Sequence, residues 1–118
     1  MIQLQKNCEV IKENDYTAVK YSDGRSEYYK LIPVIDLEVN NPTGDGYYGR
    51  IGAGIFPSGL FNGIPVVNTT YLMSTGNNAS IFGLTSVSNS QAGTIYLFRT
   101  TVAMLNGYVA YHAIGRWK

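Results

Sequence analysis

Turn-forming residues interrupt this chain so often that little room is left between them for a helix of ordinary length. Asn14-Asp15, Asp23-Gly24, the run from Asn40 to Gly46, Pro57 to Gly63, Ser74 to Asn78, Ser88 to Gly93 and Asn106-Gly107 each supply the Gly, Pro, Asn or Asp that a tight turn needs. The segments between them are strand-sized: Cys8 to Glu13, Tyr16 to Tyr21, Leu31 to Val39, Tyr47 to Phe56, Ile64 to Met73, Ser80 to Val87, Thr94 to Val102 and Tyr108 to Trp117. None keeps a helical period over three turns. Eight or nine short strands at roughly 8–12 residue spacing predict an all-β, antiparallel sandwich or barrel. No linker or repeat divides the chain, so residues 1–118 read as a single domain.

Two turns carry a definite prediction. Asp-Gly is the preferred loop of a two-residue hairpin, because both loop positions need positive φ. With Asp23-Gly24 as that loop, Lys20 faces Glu27 and Val19 faces Tyr28, so opposite charges meet and an aromatic meets a β-branched residue. Asn106-Gly107 reads as a second hairpin, joining Thr94–Val102 to Tyr108–Trp117. Leu31 to Val39 contains Pro33 and reads as an edge strand. The Tyr47–Phe56 strand holds three glycines and is expected to bend or bulge.

Charge excludes some partners. All eight acids lie at or before Asp45, and residues 46–118 carry only Arg50, Arg99, Arg116 and Lys118. That is too thin a basic patch for nucleic acid. No apolar run is long enough to insert in a membrane as a helix, and no signal peptide opens the chain. The two Asn-x-Ser/Thr matches, at Asn68 and Asn78, then read as chance. The one cysteine, Cys8, has no partner for an internal disulfide.

Catalytic and metal signatures are missing. His112 is the only histidine and shares a strand face with Tyr108, Ala110 and Ile114, which suits a structural residue. No Cys/His cluster offers a zinc site, no glycine-rich loop offers a phosphate or nucleotide-cofactor site, and Asp36, Glu38 and Asp45 stand unmarked. The expectation is no catalytic residue, no metal and no cofactor: a protein that is not an enzyme. What remains is a neutral surface rich in Tyr, Asn and Ser, a palette suited to binding. Tyr28-Tyr29 and Tyr47-Tyr48 each place one ring on each sheet face. Tyr47, Tyr48, Arg50, Tyr28 and Tyr29 are therefore the candidate ligand contacts, with Arg50 offering a planar fork to an acidic sugar or a phosphate. Trp117, between Arg116 and Lys118, is expected to be largely buried as a structural or interface residue, together with Arg116 and the turn residues Asp23 and Gly24.

These residues also resemble a family. Lys20-Tyr21-Ser22-Asp23-Gly24-Arg25-Ser26-Glu27 looks like the K-Y-S/P-D-G-x-x-E hairpin of C-terminal domains of bacteriophage tail-fibre proteins. In those domains a Phe-Pro pair follows, as Phe56-Pro57 does here, then an aromatic and a proline, as Phe61 and Pro65 do. Many end in Ala-Ile-Gly-Arg-Trp-Lys, as this chain does over 113–118. The resemblance covers about residues 18 to 118. The chain departs at Tyr28-Tyr29-Lys30, where the family often has Gln-Gly or Trp-Gly, and at Tyr111, often a tryptophan there. The resemblance implies a β-sandwich similar to the H-type lectins, assembled as a homotrimer, carried at the tail-fibre tip of a virion and adhering to bacterial cell-surface saccharide. Two alternatives stand beside it: a trimerisation or capping domain that touches no receptor, and a cell-encoded lectin.

Overall fold

In a computed structural model, residues 8–74 and 76–118 are described, and they form nine strands and no helix. The strands are β1 (Cys8–Lys12), β2 (Tyr16–Tyr21), β3 (Arg25–Val39), β4 (Asn41–Thr43), β5 (Gly46–Ile55), β6 (Val66–Met73), β7 (Ser80–Thr85), β8 (Gln91–Arg99) and β9 (Ala103–Arg116). They make two antiparallel sheets, a five-stranded one in the order β1-β2-β3-β9-β6 and a four-stranded one in the order β4-β5-β8-β7. One apolar cluster fills the space between them. Ala18, Tyr28, Ile32, Val34, Leu105, Val109, Tyr111 and Ala113 enter it from the larger sheet, and Ala53, Ala92, Ile95 and Leu97 from the smaller.

The connection between β5 and β6 closes one part of this core with aromatic rings. Phe56 lies edge-on to Tyr28 with centroids 5.0 Å apart, and Phe61 packs edge-on to Phe56 at 4.8 Å. Edge-to-face contacts put the positive rim of one ring on the negative face of the next. Tyr111, also edge-on to Tyr28, donates its hydroxyl to the Ala92 carbonyl at 2.8 Å and so ties the two sheets by a buried hydrogen bond.

The first hairpin differs from its expected register by one residue. Tyr28 pairs with Ala18, Glu27 with Val19 and Ser26 with Lys20. The loop holds three residues rather than two: the Gly24 N–H donates to the Tyr21 carbonyl at 3.0 Å, and Gly24 then takes φ 101°. That is a turn followed by a residue at positive φ, the usual three-residue hairpin. The Asp23 carboxylate helps hold it by accepting the Arg25 backbone N–H at 3.1 Å. A shift of one residue moves a side chain to the other face. Lys20 thus does not face Glu27. It lies on the inner face beneath Trp117, while Glu27 goes to the outer face.

Asn106-Gly107, by contrast, is not a hairpin. β9 runs straight through it, pairing with β3 on one side and β6 on the other. The chain turns instead at residues 100–102, where it crosses from the smaller sheet to the larger. Gly107 is needed for close approach, since a Cβ there would collide with the Leu72 carbonyl. Asn106 has a matching role: its Oδ1 accepts the Asp36 N–H at 2.9 Å, inside the bulge of β3 between Val34 and Leu37. Beyond Lys30, β2 no longer covers β3, so Pro33 sits where only β9 pairs, in keeping with an edge position. β5 bulges at Gly52–Ile55, as its glycines suggested. The 40–46 segment is a short hairpin, β4 turning into β5. The expected turn at residues 74–78 includes Thr75, which lies outside the described residues.

Candidate functional site

The four residues read as structural come together at one end of the larger sheet. The Trp117 N–H donates to the Gly24 carbonyl at 2.9 Å, and its indole Nε1 donates to the Tyr21 carbonyl at 2.8 Å. The Arg116 guanidinium donates to the Asp23 carbonyl at 2.8 Å and to the Lys118 carbonyl at 3.2 Å. Trp117 is half-buried, not in the core. It lies just past β9 as a clasp over the β2–β3 turn, with the Lys20 and Lys118 ammonium groups 5.3 and 4.9 Å from its ring centre. A ring flanked by cations gains from its negative face while its edge stays wet.

The five candidate ligand contacts do not form one site. Tyr28 is fully buried and Tyr29 is 41% exposed, so the first pair divides between core and surface. Tyr28 is withdrawn as a ligand contact: burial pushes its hydroxyl pKa up to about 12, and that hydroxyl has no hydrogen-bond partner among the described residues. Tyr47 packs against the core from the smaller sheet, whereas Tyr48 and Arg50 alternate to the outer face of that sheet. Tyr29 lies on the outer face of the other sheet. The surviving candidates therefore face opposite sides of the molecule.

On the larger sheet, Glu27 organises a polar network. Its carboxylate accepts the Tyr21 hydroxyl at 2.6 Å and the Tyr29 hydroxyl at 2.9 Å, and lies 3.1 Å from His112 Nε2. The Tyr21 hydrogen bond, with those of Tyr29 and His112, holds the Glu27 carboxyl below its ordinary pKa against the opposing effect of burial. Burial, then the bond to Glu27, pushes Tyr29 up to about 12. The Tyr29 ring stacks on His112 with centroids 4.3 Å apart. The Tyr21 and Tyr29 hydroxyls and His112 Nε2 are thus all directed at the one carboxylate. Beside it runs an open groove of about 620 Å³ lined by Asp15, Lys30, Asn68, Thr70 and His112 among others. Lys30 there donates to the Ala53 carbonyl at 3.1 Å and lies 3.7 Å from the Asp15 carboxylate.

The outer face of the smaller sheet carries residues that the sequence reading passed over. Tyr96 and Phe98 of β8 alternate outward between the buried Ile95 and Leu97. Phe82 of β7 joins them, half exposed at 52%. Tyr48 lies 5.6 Å from Tyr96, and Phe82 lies 5.9 Å from Tyr96 and 5.8 Å from Phe98. The signal was present as aromatic–aliphatic alternation in Ile95-Tyr96-Leu97-Phe98. Attention to adjacent tyrosine pairs missed it, because an outward stripe has period two and crosses strands.

Among the described residues there is no group of three or more His, Cys, Asp or Glu able to hold a metal ion. No helix among them is long and apolar enough to cross a membrane. No protein-family model matches the chain, and neither a curated protein nor a solved structure matches it.

Proposed function

We propose that this chain is a non-enzymatic receptor-binding module of a phage or prophage tail-fibre tip, trimeric, attaching to saccharide on the bacterial surface. The observation that carries the reading is that, among the described residues, nothing covers the outer face of either sheet, and the two faces differ in chemistry. The larger sheet exposes the aliphatic side chains Val10, Leu31, Val66, Leu72 and Ile114 around the polar network of Glu27. Aliphatic side chains gain from a dry protein partner, so this face suits contact with other copies of the chain. The smaller sheet presents aromatic rings, threonine hydroxyls and Arg50. Aromatic faces with polar rims suit a ligand that is itself part apolar and part hydroxylated. A trimer repeats such a weak site around its axis, and many fibres multiply it into firm attachment.

The same face also supports a purely structural trimerisation unit. The aromatic face favours the adhesive reading, since a capping domain has no need of it. The test is adsorption of the purified, folded chain to a panel of bacterial strains, with binding read on a glycan array in parallel. Adsorption to a subset of strains is expected. A folded trimer that adsorbs to none, and binds no glycan, overturns the receptor-binding reading and leaves the structural one.

A further inference from the structure

We infer that the saccharide is an anionic pyranose and that it stacks in the aromatic depression on the outer face of the smaller sheet, with Arg50 holding its charge. This rests on the receptor-binding reading above and gives it a site and a ligand class.

Three features mark this depression. It is a shallow, open depression with a volume of about 340 Å³ and walls that include Tyr48, Phe82 and Tyr96. Its floor is opened by a local irregularity: β7 bulges between Ile81 and Gly83, and the register places Gly83, which has no side chain, directly opposite Tyr96. Bulges recur beside functional sites because they re-aim side chains, here Phe82. Finally, the rings are inclined to one another. Tyr48 tilts 47° to Tyr96 and Phe82 stands 73° to it, so the group forms a trough rather than a flat stack. The negative ring faces attract the weakly positive C–H bonds on the apolar side of a pyranose, and the rim hydroxyls of Thr43 and Thr85 offer hydrogen bonds to its edge.

Arg50 sets the charge. It pairs with Tyr96 across the β5–β8 ladder, so its side chain starts beside the trough on the same face. It is exposed and forms no ion pair among the described residues. No acidic residue occurs anywhere after Asp45, so β5, β7 and β8 bring no carboxylate to compete for it. A guanidinium carried on the strand position opposite Tyr96, with no acid on the same strands, suits a planar carboxylate or a phosphate. The groove near His112 on the other sheet is a poorer candidate, because Glu27, Tyr21, Tyr29 and His112 bond one another and Lys30 is engaged by the Ala53 carbonyl and the Asp15 carboxylate.

The experiment titrates isotope-labelled protein with glucuronic acid, glucose 6-phosphate, glucose and inorganic phosphate, following backbone amides by NMR. The two anionic sugars should shift the amides around Tyr48, Arg50, Phe82 and Tyr96, with affinity on the order of millimolar, as for one weak site in a multivalent adhesin. Glucose should bind the same trough at least several-fold more weakly, and phosphate alone should bind more weakly than either anionic sugar. Arg50→Gln should erase the anionic preference while leaving the glucose shifts. Tyr96→Leu should abolish sugar binding, and Tyr96→Trp should retain it, with circular dichroism confirming the fold of each. Shifts that map elsewhere, a Tyr96→Leu protein that binds as wild type, or a Tyr96→Leu protein of lower oligomeric mass would each overturn the assignment. Cell adsorption separates the two levels. If wild type and Tyr96→Leu adsorb to the same strains equally, the trough is wrong and the adhesive reading survives. If wild type adsorbs to none and binds no sugar, both fall.

Discussion

At the scale of single residues, two buried tyrosines make opposite predictions. Tyr111 and Tyr28 lie edge-on in one cluster, but among the described residues only Tyr111 has a hydrogen-bond acceptor for its hydroxyl, the Ala92 carbonyl. Removing a satisfied buried hydroxyl leaves its partner unpaired, whereas removing an unsatisfied one relieves a desolvation cost. Tyr111→Phe should therefore lower unfolding free energy by about 1–2 kcal/mol, and Tyr28→Phe should leave it unchanged or raise it. Denaturant melts of the two variants check this, and equal losses would show that the cluster responds to ring packing alone. Glu27 makes a pH prediction. Its folded-state pKa is lowered by the Tyr21, Tyr29 and His112 bonds, so its contribution is present above the ordinary carboxylate range and is lost as pH falls through the folded value. Wild type should lose more stability than Glu27→Gln between about pH 6 and pH 3, and the two curves should converge in acid. Parallel curves over that range would mean that Glu27 is not ionised by virtue of this network.

At the scale of elements, the β2–β3 hairpin and the end of β9 form one unit. Gly24 takes positive φ, and a Cβ on it would strike the Arg116 guanidinium. Gly24→Ala should cost about 1–3 kcal/mol through backbone strain alone, and more once Arg116 is displaced. Deleting residues 113–118 removes Ala113 from the core, the last pairs of β3 and β6 with β9, and the Trp117 clasp. The truncated chain should fail to fold, as read by circular dichroism and by loss of a cooperative thermal transition. The hairpin also shows why element existence was easier to read than register. Asp23-Gly24 announced a turn, but Gly24 forms the bulge of a three-residue loop instead of the second position of a two-residue one. The choice was made by Trp117 and Arg116, which bind the Tyr21, Asp23 and Gly24 carbonyls from more than ninety positions away.

At the scale of the whole molecule, the proposed trimer makes its own prediction. The chain measures 56 × 26 × 17 Å with a radius of gyration of 16.4 Å. A compact domain of this length has a radius of gyration of about 13–14 Å. Among the described residues the outer face of the larger sheet includes Val66 at 68% exposure and Leu31 at 51%. If copies join through that face, Val66→Lys with Leu72→Lys on the outer side of β6 should dissociate the proposed trimer without touching the core. Light scattering should then report a monomer that keeps its β-sheet circular dichroism. An unchanged mass would place the subunit contact elsewhere.

The amino-acid sequence by itself determined that the chain is all-β, where most of its strands lie, that β5 bulges and that one tyrosine of each adjacent pair faces inward. These follow from local chemistry: alternation has period two, and turns depend on Gly, Asn, Asp and Pro at the turn itself. Tertiary structure alone decided the register of the first hairpin and the passage of β9 through Asn106-Gly107, where the Leu72 carbonyl and the Asp36 N–H make Gly and Asn useful inside a strand. It alone decided that Tyr29 and Tyr48 lie on opposite faces, and that Phe82, Tyr96 and Arg50 stand together. The physical reason is the same in each case. A side chain's face is set by counting along its own strand, but its neighbours are set by which strand lies alongside and in what register, and those choices are made by contacts far apart in the chain.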